Sequence, residues 1–288
     1  MIALRRYVSA IALAAACAAP AGPQLKATAT RPARRLGKIV FSSDRGGPWR
    51  IWVMKADGSG ARPLLDGEKG AADVDPSFDP EGTKVLFTST RGGKPGVWSV
   101  AAGGGKPVRI CDGDQAEWSP DGKRIALRRG GRIVARDVAS GAEKTVTPDG
   151  WTGCSGPAWS PDGKTVAFAR RQKGANAIWL VASGGGTPKL LYDKKGACEP
   201  HFSPDGKRIV YETETHVWSI GADGKANRMV TWYGGLQRYP RFGPRGQSII
   251  FCQGASPKGP WELYVVPAAG GTPRKLSEDG SDMYPHWR

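Results

Sequence analysis

One eleven-residue phrase recurs along the chain: "SFDPEGTKVLF" from Ser77, "EWSPDGKRIAL" from Glu117, "AWSPDGKTVAF" from Ala158 and "HFSPDGKRIVY" from His201. The aromatic residues before the turn are Phe78, Trp118, Trp159, Phe202, Phe242 and Trp287. They lie 40, 41, 43, 40 and 45 residues apart. A period in the low forties, with several short strands per unit, marks the blades of a propeller.

Each unit has the same internal grammar. A short strand such as Pro200-His201-Phe202 meets the turn Ser203-Pro204-Asp205-Gly206. Proline presets φ, aspartate accepts backbone hydrogen bonds and glycine supplies a positive φ. A second strand follows from Lys207 to Tyr211, then a third at Val217–Ile220. A second turn, "ADGK" from Ala222, leads to a fourth strand near Arg228. Complete units begin near Asp73, Asp114, Cys154, Ala197 and Leu236. Residues 38–66 supply strands two to four of another unit, and residues 281–288 supply its first strand. The expected fold is all-β. It is a six-bladed β-propeller of four-stranded antiparallel blades, closed when the C-terminal strand joins the N-terminal blade and leaves no long free edge.

The ends of the chain add context. Arg5 and Arg6 precede an apolar run, Val8 to Ala16, too short to span a bilayer comfortably. Small residues follow, so residues 1–21 read as a secretory signal. "LAAAC" ending at Cys17 resembles a lipobox, whose cysteine is lipidated; ordinary cleavage near Ala19 or Ala21 is the alternative. Residues 22–37 form a basic linker, and the propeller spans 38–288. The chain carries a formal charge of +16, and +14 once Arg5 and Arg6 are removed. That excess points to an envelope protein or anionic polymer as partner, with nucleic acid not expected for an exported chain. A membrane is expected only through the lipid anchor, and a monomer is expected.

The phrase "WSPDGK…IW…GG…L" resembles the Pro-Asp propeller repeat of TolB and its relatives over roughly residues 38–288. "SPDGK" is intact at Ser119, Ser160 and Ser203, and altered to "DPEGT" at Asp79 and "GPRGQ" at Gly243. The resemblance implies a TolB-like propeller without the N-terminal domain of TolB. Similar repeats occur in propeller peptidases and polysaccharide lyases. A peptidase needs a nucleophile elbow, and no GxSxG occurs.

Function is expected among the letters that do not repeat. Flanking each pre-anchor proline position are Asp75 and Ser77, Gln115 and Glu117, Gly156 and Ala158, Glu199 and His201, Tyr239 and Arg241, and Tyr284 and His286. Strict alternation places each pair on the face opposite the proline and the anchor. Asp73, Asp114, Arg238 and Asp282 are expected on entry loops just upstream. The candidate ligand-binding residues at the channel mouth are Asp75, Glu117, Glu199, His201, Arg238, Tyr239, Arg241, Tyr284 and His286; the other reading is that these groups pair with one another and plug the channel. The function expected is a binding or scaffold module, with ligand at the mouth or on a basic face and no cofactor. The alternative is a propeller hydrolase or lyase with a channel metal held by His201, His286 and Glu199. Cys154 and Cys198, just before the first strands of neighbouring blades, are a candidate disulfide. Of the loop tryptophans, Trp49, Trp151, Trp232 and Trp261 are candidates for exposed contacts.

Overall fold

The computed structural model describes residues 37–288 except Lys173, Lys195, Glu214, Tyr233 and Asp279. The signal segment, Cys17 and nearly all of the linker lie outside the described residues. Twenty-four strands fall into six four-stranded antiparallel sheets. Blade one contains β1 (Lys38–Ser43), β2 (Arg50–Lys55) and β3 (Arg62–Pro63). Blade two is β4 (Asp73–Phe78), β5 (Lys84–Ser89), β6 (Gly96–Ala101) and β7 (Val108–Asp112). Blade three is β8 (Asp114–Trp118), β9 (Arg124–Arg129), β10 (Arg132–Asp137) and β11 (Glu143–Thr145). Blade four is β12 (Cys154–Trp159), β13 (Thr165–Gln172), β14 (Ala175–Ala182) and β15 (Lys189–Tyr192). Blade five is β16 (Cys198–Phe202), β17 (Arg208–Glu212), β18 (Val217–Gly221) and β19 (Arg228–Met229). Blade six is β20 (Leu236–Phe242), β21 (Ser248–Gly254), β22 (Trp261–Pro267) and β23 (Arg274–Lys275). The last strand, β24 (Asp282–Trp287), pairs with β1 and completes blade one. Lys38 and Arg288 exchange backbone hydrogen bonds of 2.6 and 2.9 Å at that seam.

The core is divided among the junctions between blades. Six apolar clusters each draw on two neighbouring sheets. The second strand of a blade is buried on both faces, so its apolar run is continuous. In β5, Val85 and Phe87 face the junction with blade one, while Leu86 faces the junction with blade three. Phe41, Phe87, Phe168 and Phe251 are all fully buried, each contributing about 1.5–3 kcal/mol.

The recurring turn holds itself and its neighbour. In the intact copies, Ser119, Ser160 and Ser203 each donate from Oγ to Asp121, Asp162 or Asp205 at 2.6 Å. The same hydroxyl accepts from the backbone N–H five residues on, at 2.9 to 3.0 Å. Hydrogen bonds from the serine and from a lysine N–H lower the pKa of each aspartate. In blade two the acid moves to the first position. Asp79 Oδ1 accepts from Thr83 N and Lys84 N at 2.6 and 2.9 Å. In blade six the first residue is Gly243, because the Trp287 ring lies where its Cβ would be, 2.8 Å away. The turn glycines, with φ near +70°, rest against the proline of the preceding blade's turn. Gly122 faces Pro80, Gly163 faces Pro120, Gly206 faces Pro161 and Gly246 faces Pro204. At the closing junction, Arg288 takes the proline's place beside Gly82.

Candidate functional site

The first strand of every blade lines the central channel, and a β-bulge interrupts its pairing with the next strand. Within each bulge one residue adopts a left-handed conformation. These are Asp75, Gln115, Gly156, Glu199, Tyr239 and Tyr284, with φ between +50° and +57°. Five of the six are not glycine. The residue before proline favours extended backbone, so Asp75, Glu199, Tyr239 and Tyr284 are held there by the bulged strand against their local preference. The strict alternation expected from sequence is corrected accordingly. The bulge stacks the paired residues in two tiers, and Pro76 and Pro157 border the channel as well.

The entry tier surrounds a chamber of about 30 Å³ lined by Asp75, Gln115, Gly156, Glu199, Tyr239, Arg241 and Tyr284 among others. Tyr239 and Tyr284 come from neighbouring blades. Their ring centroids are 4.1 Å apart, and Tyr239 Oη donates to Tyr284 Oη at 3.3 Å. Gln115 Oε1 accepts from Gly156 N at 3.1 Å. Blade four lacks a side chain here because the Glu199 carboxylate occupies the space; a Cβ on Gly156 would meet it at 3.0 Å. Burial pushes the Asp75 carboxyl up to about 7, aided by the charges of Glu199 and Asp114. Burial also raises Glu199, against the pull of Arg241 and Arg128.

The second tier contains Ser77, Glu117, Ala158, His201, Arg241 and His286. Arg241 of blade six donates from Nη1 to Glu117 Oε2 of blade three, so this ion pair spans the channel between opposite blades. His201 and His286 stand on either side of Arg241 in blade order, with ring centroids 6.4 Å apart. Phe242 N donates to His201 Nδ1 at 3.2 Å, and Phe78 N donates to His286 Nδ1 at 3.3 Å. Burial, then Arg241, drives His201 well below the usual imidazole range; the same causes and Arg288 bring His286 down to about 3. Both rings are therefore neutral, with the proton on Nε2. Beyond this tier the channel widens into a funnel of about 250 Å³ at the turn end.

Eight of the nine predicted residues thus gather along the channel. Arg238 does not. Its Nη1 pairs with Glu212 Oε1 at 3.0 Å, tying blade six to blade five, and Tyr239 N donates to the same carboxylate. Glu212 carried no signal in the repeat pattern, because it sits at the end of an otherwise ordinary second strand. The upstream acids are corrected too. Asp73, Asp114 and Asp282 begin strands and pair with Arg91, Arg128 and Arg45. The expected bridge between Cys154 and Cys198 is not formed, and both are free thiols. Cys198 Sγ donates instead to Glu212 Oε1 at 3.4 Å. Burial raises the Cys154 thiol to about 11 and Cys198 further. Of the loop tryptophans, Trp232 is exposed, Trp261 is buried, and Trp151 packs edge-on against Trp179. Among the described residues, no three of His, Cys, Asp or Glu converge as ligands for a metal. Each channel histidine already spends its free ring nitrogen on a backbone N–H.

The family model described as TolB beta propeller domain matches residues 26–149 and 115–288. The chain belongs to the TolB beta propeller family. TolB from Acinetobacter baumannii superposes with a TM-score of 0.74 at 21% identity, over 87% of this chain and 66% of that one. A putative TolB from Agrobacterium tumefaciens gives 0.70 at 16% identity, over 86% and 90%. These likenesses show a shared fold. An uncharacterized protein of Agrobacterium fabrum is 28% identical over 177 residues, 59% of this chain and 60% of its own length. The chain thus spans less than two thirds of the length of that relative and of the Acinetobacter TolB. The TolB-like propeller is an architecture suited to a protein-binding scaffold.

Proposed function

We propose that this TolB-family propeller is an exported, non-catalytic binding module of the cell envelope that engages a partner protein through the entry end of its channel. The signal segment supports export, and Cys17 supports a lipid anchor. The observation that carries the reading is the entry tier. Five non-glycine residues are held in left-handed backbone around one small chamber, and their side chains differ from blade to blade. Backbone strain of this kind concentrates where side chains must be aimed. The excess of basic residues favours an acidic partner surface.

A photo-crosslinking residue at Gln115 tests this in living cells, with the same residue at Lys123 on the opposite face as the comparison. The expected result is a defined envelope adduct from position 115, absent from position 123 and lost when Tyr284→Ala is added. Equal adducts from both positions, or none from position 115, would count against the entry end. Raising the salt concentration during capture should weaken retention steeply if the partner is acidic.

A further inference from the structure

The funnel at the turn end is built from a surplus of hydrogen-bond donors. Its wall is made by the anchors Phe78, Trp118, Trp159, Phe202, Phe242 and Trp287 and by the turn prolines. Its floor carries His201 and His286, whose Nδ1 atoms accept from backbone. Both rings line the funnel, and with Nδ1 accepting, Nε2–H is the donor each has left to offer. Ser77 borders the same space, is 98% buried (2% exposed), and its Oγ has no partner. The indole N–H groups of Trp118 and Trp287 are buried and unpartnered, as are those of Trp52, Trp98 and Trp179 away from the funnel, and that of Trp159 donates to Glu117 O at 3.2 Å. Imidazole N–H and indole N–H groups can only donate. Buried donors without acceptors are rare in folded proteins. Two carboxylates line the funnel and both are engaged: Glu117 by Arg241, and Asp79 by Thr83 and the Lys84 N–H. Arg288 lies at the rim.

We infer that the funnel is a second ligand site, separate from the entry end, that binds a single carboxylate. The carboxylate oxygens accept from His201 Nε2, His286 Nε2 and Ser77 Oγ, and the apolar body beneath the carboxylate lies against the anchor rings and prolines. Ionised acceptors make the stronger hydrogen bonds, and the Arg288 side chain adds a cation to the lining. The volume of about 250 Å³ lies below the usual range for a drug-sized ligand. It suits a short organic acid or one acidic side chain.

The test is nitrogen-15 NMR of the histidines in the protein purified after export, at constant ionic strength. In the free protein, both channel imidazoles should be Nε2–H tautomers from about pH 5.5 to about pH 7.5, roughly one unit either side of the usual imidazole pKa. Acetate and N-acetylglutamate amide should shift both Nε2 signals saturably. N-acetylglutamine amide, the neutral isostere, should bind at least about tenfold more weakly. Ser77→Ala, which removes only an unpartnered hydroxyl, should weaken carboxylate binding about fivefold while leaving the fold intact. Saturation by acetate alone assigns the site to a small acid, and saturation by the glutamate derivative alone assigns it to an acidic side chain. No saturable shift, equal shifts with the neutral amide, or the same shifts with chloride would overturn the inference. Neither result bears on crosslinking from Gln115.

Discussion

The two ends of the channel are made from opposite kinds of sequence. At the turn end nearly the same letters return in blades two to six: serine or its substitute, proline, an acid (Arg245 in blade six) and a glycine near φ +70°. There each turn packs on the next, and repetition serves closure of the ring. At the entry end the corresponding positions read Asp75, Gln115, Gly156, Glu199, Tyr239 and Tyr284, and no two neighbours share the same chemistry except the tyrosine pair. The backbone repeats at both ends, but only the turn end supplies a residue type suited to it. Five side chains at the entry end are kept in a conformation that costs about 1 kcal/mol or more apiece. The contrast separates residues that repeat with the blade from residues that differ between blades.

The ion pair between the two ends offers the sharpest way to break that contrast. Glu117→Ala leaves Arg241 unpaired across a narrow channel and should lower stability by about 3 kcal/mol in urea denaturation. The double variant Glu117→Leu with Arg241→Leu should recover most of that loss. At the turn end, Gly243→Ala drives a methyl group into the Trp287 ring and should cost about 2 kcal/mol. Gly206→Ala, at φ +70° with only ordinary contact to Pro161, should cost about 1 kcal/mol.

At the entry end the stability effect depends on pH. Asp75 titrates near 7 in the folded protein and near its ordinary value, 3.8, when unfolded. Below the lower value both states hold the proton. As pH rises through this window the unfolded state loses its proton first, so the native state loses stability. Asp75→Asn should flatten that slope. By linkage it should raise stability by a few kcal/mol at pH 7.5, at most about 4, and leave it little changed at pH 4. An unchanged slope would mean that Asp75 is not the group that titrates.

The spacing of anchors from Phe78 to Trp287 was enough to count six blades and to join residues 281–288 to residues 38–66. Repetition makes such a pattern legible, because each blade restates the same packing problem. The channel was legible as a list of residues and not as a geometry. Alternation could not foresee a bulge, since nothing in "DPSF" or "EPHF" marks the residue before proline as left-handed. Arg238 and Glu212 pair between blades, a relation carried by register across sheets and not by spacing within one. The thiols of Cys154 and Cys198 occupy similar positions in neighbouring blades, but the carboxylate of Glu212, not the other thiol, engages Cys198.

We propose that the entry tier is kept for recognition at the expense of the fold. Its most direct test is the double variant Asp75→Gly with Glu199→Gly, followed by thermal unfolding and by crosslinking from Gln115. Glycine relieves two left-handed residues, and the change removes two half-buried, desolvated carboxylates. The expected result is a melting temperature equal to or above that of the parent, together with loss of the crosslinked adduct. A lower melting temperature with the adduct retained would contradict it.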